Sequence, residues 1–312
     1  MNAAISDERV TLSLMEEIAR GIAVIPMSIS NAYLVGDARS WVLVDSGTPG
    51  HAKTIKEAAE TRFGAGAKPR AIVLTHGHFD HAGSCPELAE TWNVKVYAHR
   101  LELPYLTGKS QYPPLDITAP GAFSFLARFF PSRTVNLGSR VVEWDGDFSL
   151  FGLPGWRSIH TPGHAPGHFV FFRQDDTVLL AGDAVTTMNL DNVVGLMTRR
   201  PELCRPPVPA TYDWRQAHES VKKLAALRPF LVAPGHGTPM ASVWARLQEL
   251  AEHFPIPEQG RYVPEPARTD ENGITYLPPK PPDRLVRATV GVSAAAAAIA
   301  FAGVLLHKPN KS

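Results

Sequence analysis

The 312-residue sequence is poor in cysteine and carries no strong excess of either charge. Its two cysteines, Cys85 and Cys204, lie far apart, which excludes a disulfide framework and a cysteine-rich zinc site. Lys and Arg total 31 against 30 Asp and Glu, a formal net charge of +1. That balance excludes a strongly basic nucleic-acid binder and a charged disordered tail protein, so no nucleic-acid partner is expected. The amino terminus lacks the long apolar core of a signal peptide, because Asp7, Glu8 and Arg9 interrupt it. A hydrophobic content of 44% is enough for a sizeable core and too little for a polytopic membrane protein.

What is present is unevenly placed. There are 28 prolines, and eight of them fall between Pro255 and Pro282, a stretch that cannot continue a helix and favours extended conformations. From Ala288 to Leu306 the chain runs 19 residues without a charge, flanked by Arg284 and Arg287 before and His307, Lys308 and Lys311 after. A helix of that length spans about 28 Å, close to a bilayer core of about 30 Å. The expected organisation is therefore a catalytic domain over 1–254, a proline-rich tether over 255–285 and a transmembrane anchor over 286–307. The membrane is then a partner, and the catalytic domain is placed on the cytoplasmic side. An ordered extended tail lying on the domain is the alternative for the first part of the tether, and a buried Ala-rich helix for the last segment.

Residues 20–254 alternate strand-like and helix-like runs, an α/β pattern. Gly21–Pro26, Ala32–Val35, Trp41–Asp45, Ala71–Leu74 and Val94–Ala98 read as strands. So do Val135–Leu137, Phe148–Leu150, His168–Phe172, Val178–Ala181 and Phe230–Ala233. His51–Phe63, Arg215–Leu227 and Ala241–Phe254 read as helices, and no fixed-period repeat is present.

Seven of the 12 histidines sit in three short motifs. Thr75-His76-Gly77-His78-Phe79-Asp80-His81 follows the apolar run Ala71–Leu74. Three imidazoles and a carboxylate so close together cannot all be core groups, since each needs a partner when buried. Ligands of this kind without thiolate suit zinc, and also iron, manganese or nickel. His160-Thr161-Pro162-Gly163-His164-Ala165-Pro166-Gly167-His168 presents His164 on a tight loop. Leu179-Leu180-Ala181-Gly182-Asp183 and Val232-Ala233-Pro234-Gly235-His236 are apolar strands that end in a carboxylate and in a glycine-flanked imidazole. Each late motif alone is ambiguous; their order, each at a strand end, is informative.

On these residues the chain resembles the metallo-β-lactamase fold superfamily, over roughly residues 20–254. The resemblance implies a four-layer αβ/βα sandwich, with two sheets face to face and helices outside. It implies that His76, His78 and His164 hold one divalent metal, that Asp80, His81 and His236 hold a second, and that Asp183 bridges them. Zinc is the first expectation, with iron or manganese as alternatives. Asn31 and Asp45-Ser46-Gly47 match the family's first-hairpin pattern, in which the Asp supports the ligands from behind; His168 is a second candidate for such support. The implied reaction is attack of a metal-bridged hydroxide on an ester, thioester or lactone carbonyl of a small molecule, with Asp80 orienting the nucleophile and handling a proton. No serine, cysteine or lysine nucleophile is needed, and no nucleophile elbow is present.

Asp183 favours the glyoxalase II-like and lactonase-like branch over β-lactam hydrolysis. A mononuclear iron persulfide dioxygenase, using His76, His164 and Asp183, is the other alternative. A non-catalytic binding protein leaves seven convergent groups unexplained. Two segments are expected to form an apolar cover over the metals. Arg100–Thr134 holds Tyr105, Tyr112, Phe123, Phe125, Phe129 and Phe130. Val185–Trp214 holds Met188, Met197, Arg199, Arg200 and Tyr212. Such a cover suits a lipophilic acyl ester or lactone.

Overall fold

A computed structural model describes residues 14–129 and 135–282. Alternation of side chains builds its first sheet. β1 (Glu16–Ala19), β2 (Ile22–Pro26), β3 (Asn31–Gly36), β4 (Trp41–Val44), β5 (Ile72–Val73), β6 (Val96–Ala98) and β7 (Val141–Glu143) lie side by side in chain order. The pairs β1 to β4 are antiparallel and the pairs β4 to β7 parallel. On β2 to β4, Val24, Tyr33, Val35, Val42 and Val44 point to one face, and Ala23, Ile25, Leu34 and Leu43 to the other, as a period of two requires.

The second sheet comes from the later chain. β8 (Trp156–His160), β9 (Phe169–Arg173) and β10 (Val178–Gly182) are followed by a ribbon of β11 (Thr186–Met188) and β12 (Pro201–Cys204), then by β13 (Leu231–Pro234) and β14 (Met240–Ala241). The sheet order is β14-β13-β10-β9-β8, with β10 and β13 parallel.

The two sheets bury their facing sides on each other. Tyr33, Val42 and Val44 from the first meet Phe169, Phe171, Val178 and Leu180 from the second. The outer face of the first sheet packs under the helices Ala52–Phe63 and Cys85–Thr91 through Leu34, Leu43, Ile55 and Leu88. The outer face of the second packs under Trp214–Ala226 and Trp244–Glu252 through Val170, Leu179, Val221 and Leu247. These are the four layers of an αβ/βα sandwich.

Several expectations are corrected. Phe148–Leu150 is not a strand but part of a short 3-10 helix, Phe148–Phe151. The Asp147 carboxylate accepts from Ser149 N at 2.8 Å, which turns the chain, and Gly152 closes the turn at φ +71°. Val135 and Leu137 are buried but lie in a loop, with Leu137 N–H satisfied by the carbonyl of Leu106 at 2.8 Å. The membrane-spanning helix is also corrected. Among the described residues no helix is long and apolar enough to cross a membrane. Trp214–Ala226, with 13 residues, is about 20 Å long at ~1.5 Å per residue, against a bilayer core of about 30 Å. The stretch 286–307 itself lies outside the described residues, and a run so rich in alanine carries little insertion energy. No described segment supplies the membrane partner or the membrane-anchored localisation expected from it.

Residues 255–282, expected to be a tether, lie against the domain. Arg261 N donates to Asp116 Oδ2 at 2.6 Å, and the buried Tyr262 donates its hydroxyl to Pro114 O at 2.6 Å. Ala267 N reaches Tyr212 O at 3.1 Å, and β15 (Arg268–Asp270) pairs with β16 (Gly273–Tyr276).

Candidate metal centre

The parallel strands end at one edge of the sandwich, and the polar motifs leave from those ends, the usual place for a site in such sheets. Asp45 follows β4, Thr75 to His81 follow β5, Asp183 follows β10, and Gly235-His236 follow β13. The loop between β8 and β9 adds His164 and His168. All seven expected ligands converge there, each buried.

Three imidazole nitrogens form one triangle. His76 Nε2 is 3.0 Å from His78 Nδ1, His78 Nδ1 is 3.0 Å from His164 Nε2, and His164 Nε2 is 3.3 Å from His76 Nε2. Asp80, His81 and His236 form a second group, with His236 Nε2 3.4 Å and His81 Nε2 4.0 Å from Asp80 Oδ2. Asp183 stands between them. Its Oδ2 is 3.4 Å from His164 Nε2 and 3.0 Å from His236 Nε2, and its Oδ1 is 3.4 Å from His81 Nε2.

This packing fits a bound cation. Each pair in the imidazole triangle can share at most one proton, so three nitrogens aimed at one point leave lone pairs facing lone pairs. His81 Nε2 and Asp183 Oδ1 are buried without a hydrogen-bond partner. Burial depresses the pKa of His76, His78 (to about 4) and His164, which keeps these imidazoles neutral, as ligation requires. For His81 and His236 burial again opposes the charge, but the carboxylates of Asp183 and Asp80 outweigh it and raise both. Burial also opposes ionisation of Asp183, and His236 and His81 overcome it, holding the carboxyl well below its ordinary range. His and Asp donors without thiolate suit a borderline divalent ion.

The supports behind these groups are specific. Asp45, held at φ +58°, accepts from Thr75 N (2.8 Å), Thr75 Oγ1 (2.7 Å) and His81 Nδ1 (2.9 Å), so it fixes the His76 loop and the orientation of His81. His168 Nε2 accepts from Asp183 N at 2.9 Å; its Nδ1 therefore carries the proton and donates to Thr161 Oγ1 at 2.8 Å. His168 holds the backbone of Asp183 and is not one of the grouped ligands. Asn31 Nδ2 donates to Pro234 O and Gly237 O at 3.0 and 2.7 Å, bracketing His236, and His236 Nδ1 donates to Ile29 O at 2.5 Å.

Glu102 carries no motif and is not among the residues expected at the site, yet it ties the two histidine loops together. It is fully buried; its Oε2 accepts from Gly77 N at 2.9 Å and from the Tyr112 hydroxyl, and its Oε1 from Gly167 N at 2.6 Å. Burial pushes its carboxyl up, and these donors pull it back. A Glu between leucines, just after a buried strand, is the one local hint.

A cavity of about 570 Å³ opens onto Asp80, His164, Asp183 and His236. From the expected cover, Tyr112, Phe123, Met188, Arg199 and Tyr212 line it. Tyr105 is instead buried beneath, its ring 4.0 Å from that of Tyr112. Phe125, Phe129 and Met197 face outward, and Phe130 lies outside the described residues. Tyr212 OH is 3.3 Å from His78 Nε2, and burial raises its pKa well above 10, so it stays protonated.

An αβ/βα sandwich with a buried His and Asp cluster at its strand ends defines a class of metal-dependent hydrolases. The sequence profile of the metallo-beta-lactamase superfamily matches residues 25–236, and the chain belongs to that superfamily. Over 244 residues, 76% of this chain and 92% of the relative, it is 41% identical to the probable metallo-hydrolase YflN of Bacillus subtilis (strain 168). It is 27% identical over 219 residues to the probable metallo-hydrolase YybB of the same organism, covering 68% of this chain and 83% of that one. Among solved structures, the metallo-beta-lactamase superfamily protein ST1585 from Sulfolobus tokodaii superposes with a TM-score of 0.52 at 24% identity, over 76% of this chain and 86% of its own. That likeness concerns the fold. The chain is a metallo-hydrolase of this superfamily, and its His and Asp groups fit a metal site.

Proposed function

We propose that the protein is a dinuclear metal-dependent hydrolase acting on an ester, thioester or lactone carbonyl. The observation that supports this most is the position of Asp183, whose two carboxylate oxygens face His81 on one side and His164 and His236 on the other. In this reading His76, His78 and His164 would hold one ion, Asp80, His81 and His236 would hold the other, and Asp183 would serve both. Zinc suits the donors best. When bound, such ions polarise a carbonyl and lower the pKa of water, from 15.7 to about 7 at a single zinc. The chain's own groups do the rest. Asp80 lines the cavity and takes a proton at a carboxylate oxygen from the attacking water, then returns it to the leaving alcohol or thiol. Tyr212, protonated and beside His78, donates toward the carbonyl oxygen. The apolar cavity wall excludes water from the rest of the substrate. Residues 1–254 form the catalytic unit, and the segment after Phe254 adds Arg261 and Lys280 to its wall.

Metal analysis of the purified protein tests the reading. The expected result is two metals per chain, with turnover of esters, thioesters or lactones lost in His78→Ala and Asp183→Ala. One iron per chain, with oxygen consumed in the presence of a persulfide, would overturn it.

A further inference from the structure

The wall of the cavity is apolar where it faces Ile117, Phe123, Leu126, Met188 and Leu196, but four cations share it: Arg128, Arg199, Arg261 and Lys280. Among the described residues, and outside the metal cluster, the wall has a single carboxylate, Asp116. That carboxylate is occupied by local donors. Its Oδ1 accepts from Thr118 N, Thr118 Oγ1 and Ala119 N, and its Oδ2 from Arg261 N. Arg199 donates to Ser28 O at 2.7 Å and Arg261 to Pro278 O at 2.7 Å, both neutral carbonyls. Among the described residues, neither of these arginines nor Lys280 forms an ion pair. Cations gathered around one partly enclosed space repel each other, and an anion entering that space relieves the repulsion. The volume, about 570 Å³, lies in the range that holds a small-molecule ligand.

The geometry points to a substrate that is both apolar and anionic: an acyl ester or thioester whose chain lies on the apolar wall and which carries a carboxylate or phosphate held by Arg199, Arg261 and Lys280. This rests on the hydrolase reading for the reaction, and it adds an anionic group to the lipophilic acyl ester or lactone suggested by the aromatic content of the cover. Two chemistries are combined. The apolar wall supplies affinity without direction, and the cations fix which end of the molecule stays away from Asp80 and His236.

The test is a calorimetric titration of the full chain, metal-loaded as purified, with hexane-1-sulfonate and with 1-hexanol. Sulfonate is a weaker metal ligand than carboxylate, so the comparison favours the wall cations over the metals. The sulfonate is expected to bind at least about 10-fold more tightly than the alcohol. Arg199→Gln and Lys280→Gln alter exposed side chains, so their folding is not at risk. Each is expected to weaken sulfonate binding about 2- to 5-fold, and the pair together more, with 1-hexanol unchanged. Rising salt lowers only the sulfonate affinity. Equal affinity for the two ligands overturns the proposal. So does a sulfonate preference that both variants leave intact, because the anion is then held by neither Arg199 nor Lys280. No turnover is read, so a protein that binds sulfonate as expected yet hydrolyses no ester, thioester or lactone sinks the hydrolase reading while the anion site stands.

Discussion

Glu102 gives the sharpest test of how the metal loops are held. Its carboxylate receives three donors at once, and two of them are the backbone N–H groups of Gly77, between His76 and His78, and Gly167, beside His168. In Glu102→Gln one oxygen becomes an NH2 group. If the amide nitrogen takes the Oε1 place it meets Gly167 N–H, donor against donor. If it takes the Oε2 place, Gly77 N can still donate to Tyr112 OH, 2.9 Å away, but the Tyr112 hydrogen is left without an acceptor. Either way one buried donor is orphaned, a cost of about 1–3 kcal/mol. For a domain of this size about 2 kcal/mol lowers the melting temperature by roughly 4–8 °C. The loops cannot simply close the gap: a Cβ on Gly77 would sit 2.7 Å from Tyr112 OH and 2.9 Å from Leu106, so this turn is already filled. The larger effect is expected on the metals, about 10- to 100-fold in affinity, as for other groups that orient ligands. Chelator competition reads that loss, and thermal unfolding reads the stability term. Tyr112→Phe keeps both glycine bonds and is expected to lose only about 1 kcal/mol, with metal affinity nearly unchanged. If Glu102→Gln holds its metals as tightly as the parent and melts at the same temperature, the carboxylate is not the tie between the loops.

In Gly235→Ala the new Cβ would lie 2.1 Å from Asp183 Oδ1 and 2.6 Å from His81 Cε1, so the chain is expected to bind fewer than two metals while keeping its sheets, checked by metal content and circular dichroism. His168→Ala removes the acceptor for Asp183 N–H and is expected to cost about 1–3 kcal/mol in chemical denaturation, with weaker metal binding and no change in the metal preferred. Asp45→Asn sets an NH2 group against one of its three donors, Thr75 N, Thr75 Oγ1 or His81 Nδ1; turnover is expected to fall at least about 10-fold, with KM moving less than kcat.

The site was legible in the sequence where ligands are consecutive or come directly after an apolar run. His76, His78, Asp80 and His81 are a single loop, and Asp183 and His236 each end a strand whose residues are buried on both faces. A strand end fixes the direction in which the next residues leave the sheet, so local pattern carried three-dimensional information. The sandwich was legible for the same reason, since Val24, Tyr33, Val35, Val42 and Val44 alternate with residues of the opposite face. Phe148–Leu150 shows the limit: its apolar content does mark core, but the Asp147 side chain decides the backbone.

Glu102 and the proline-rich stretch were illegible for a different reason. Each is defined by its partners and not by its neighbours. Glu102 meets donors 10, 25 and 65 residues away, and its flanking leucines alone do not say what it would bind. The prolines after Phe254 exclude a helix and favour extension, but extension says nothing about what the chain lies on. Here it brings Tyr262 within 5.3 Å of the Tyr212 ring and sets Arg261 and Lys280 in the cavity wall. The same separation applies to chemistry. Ligands for the metals must be pre-set on strand ends, so they leave a pattern. Groups that line a cavity need only reach it from any loop, so cations from residues 128, 199, 261 and 280 converge with no common motif. The metallo-hydrolase class was therefore readable along the chain, whereas the proposed substrate class is argued only from the cavity.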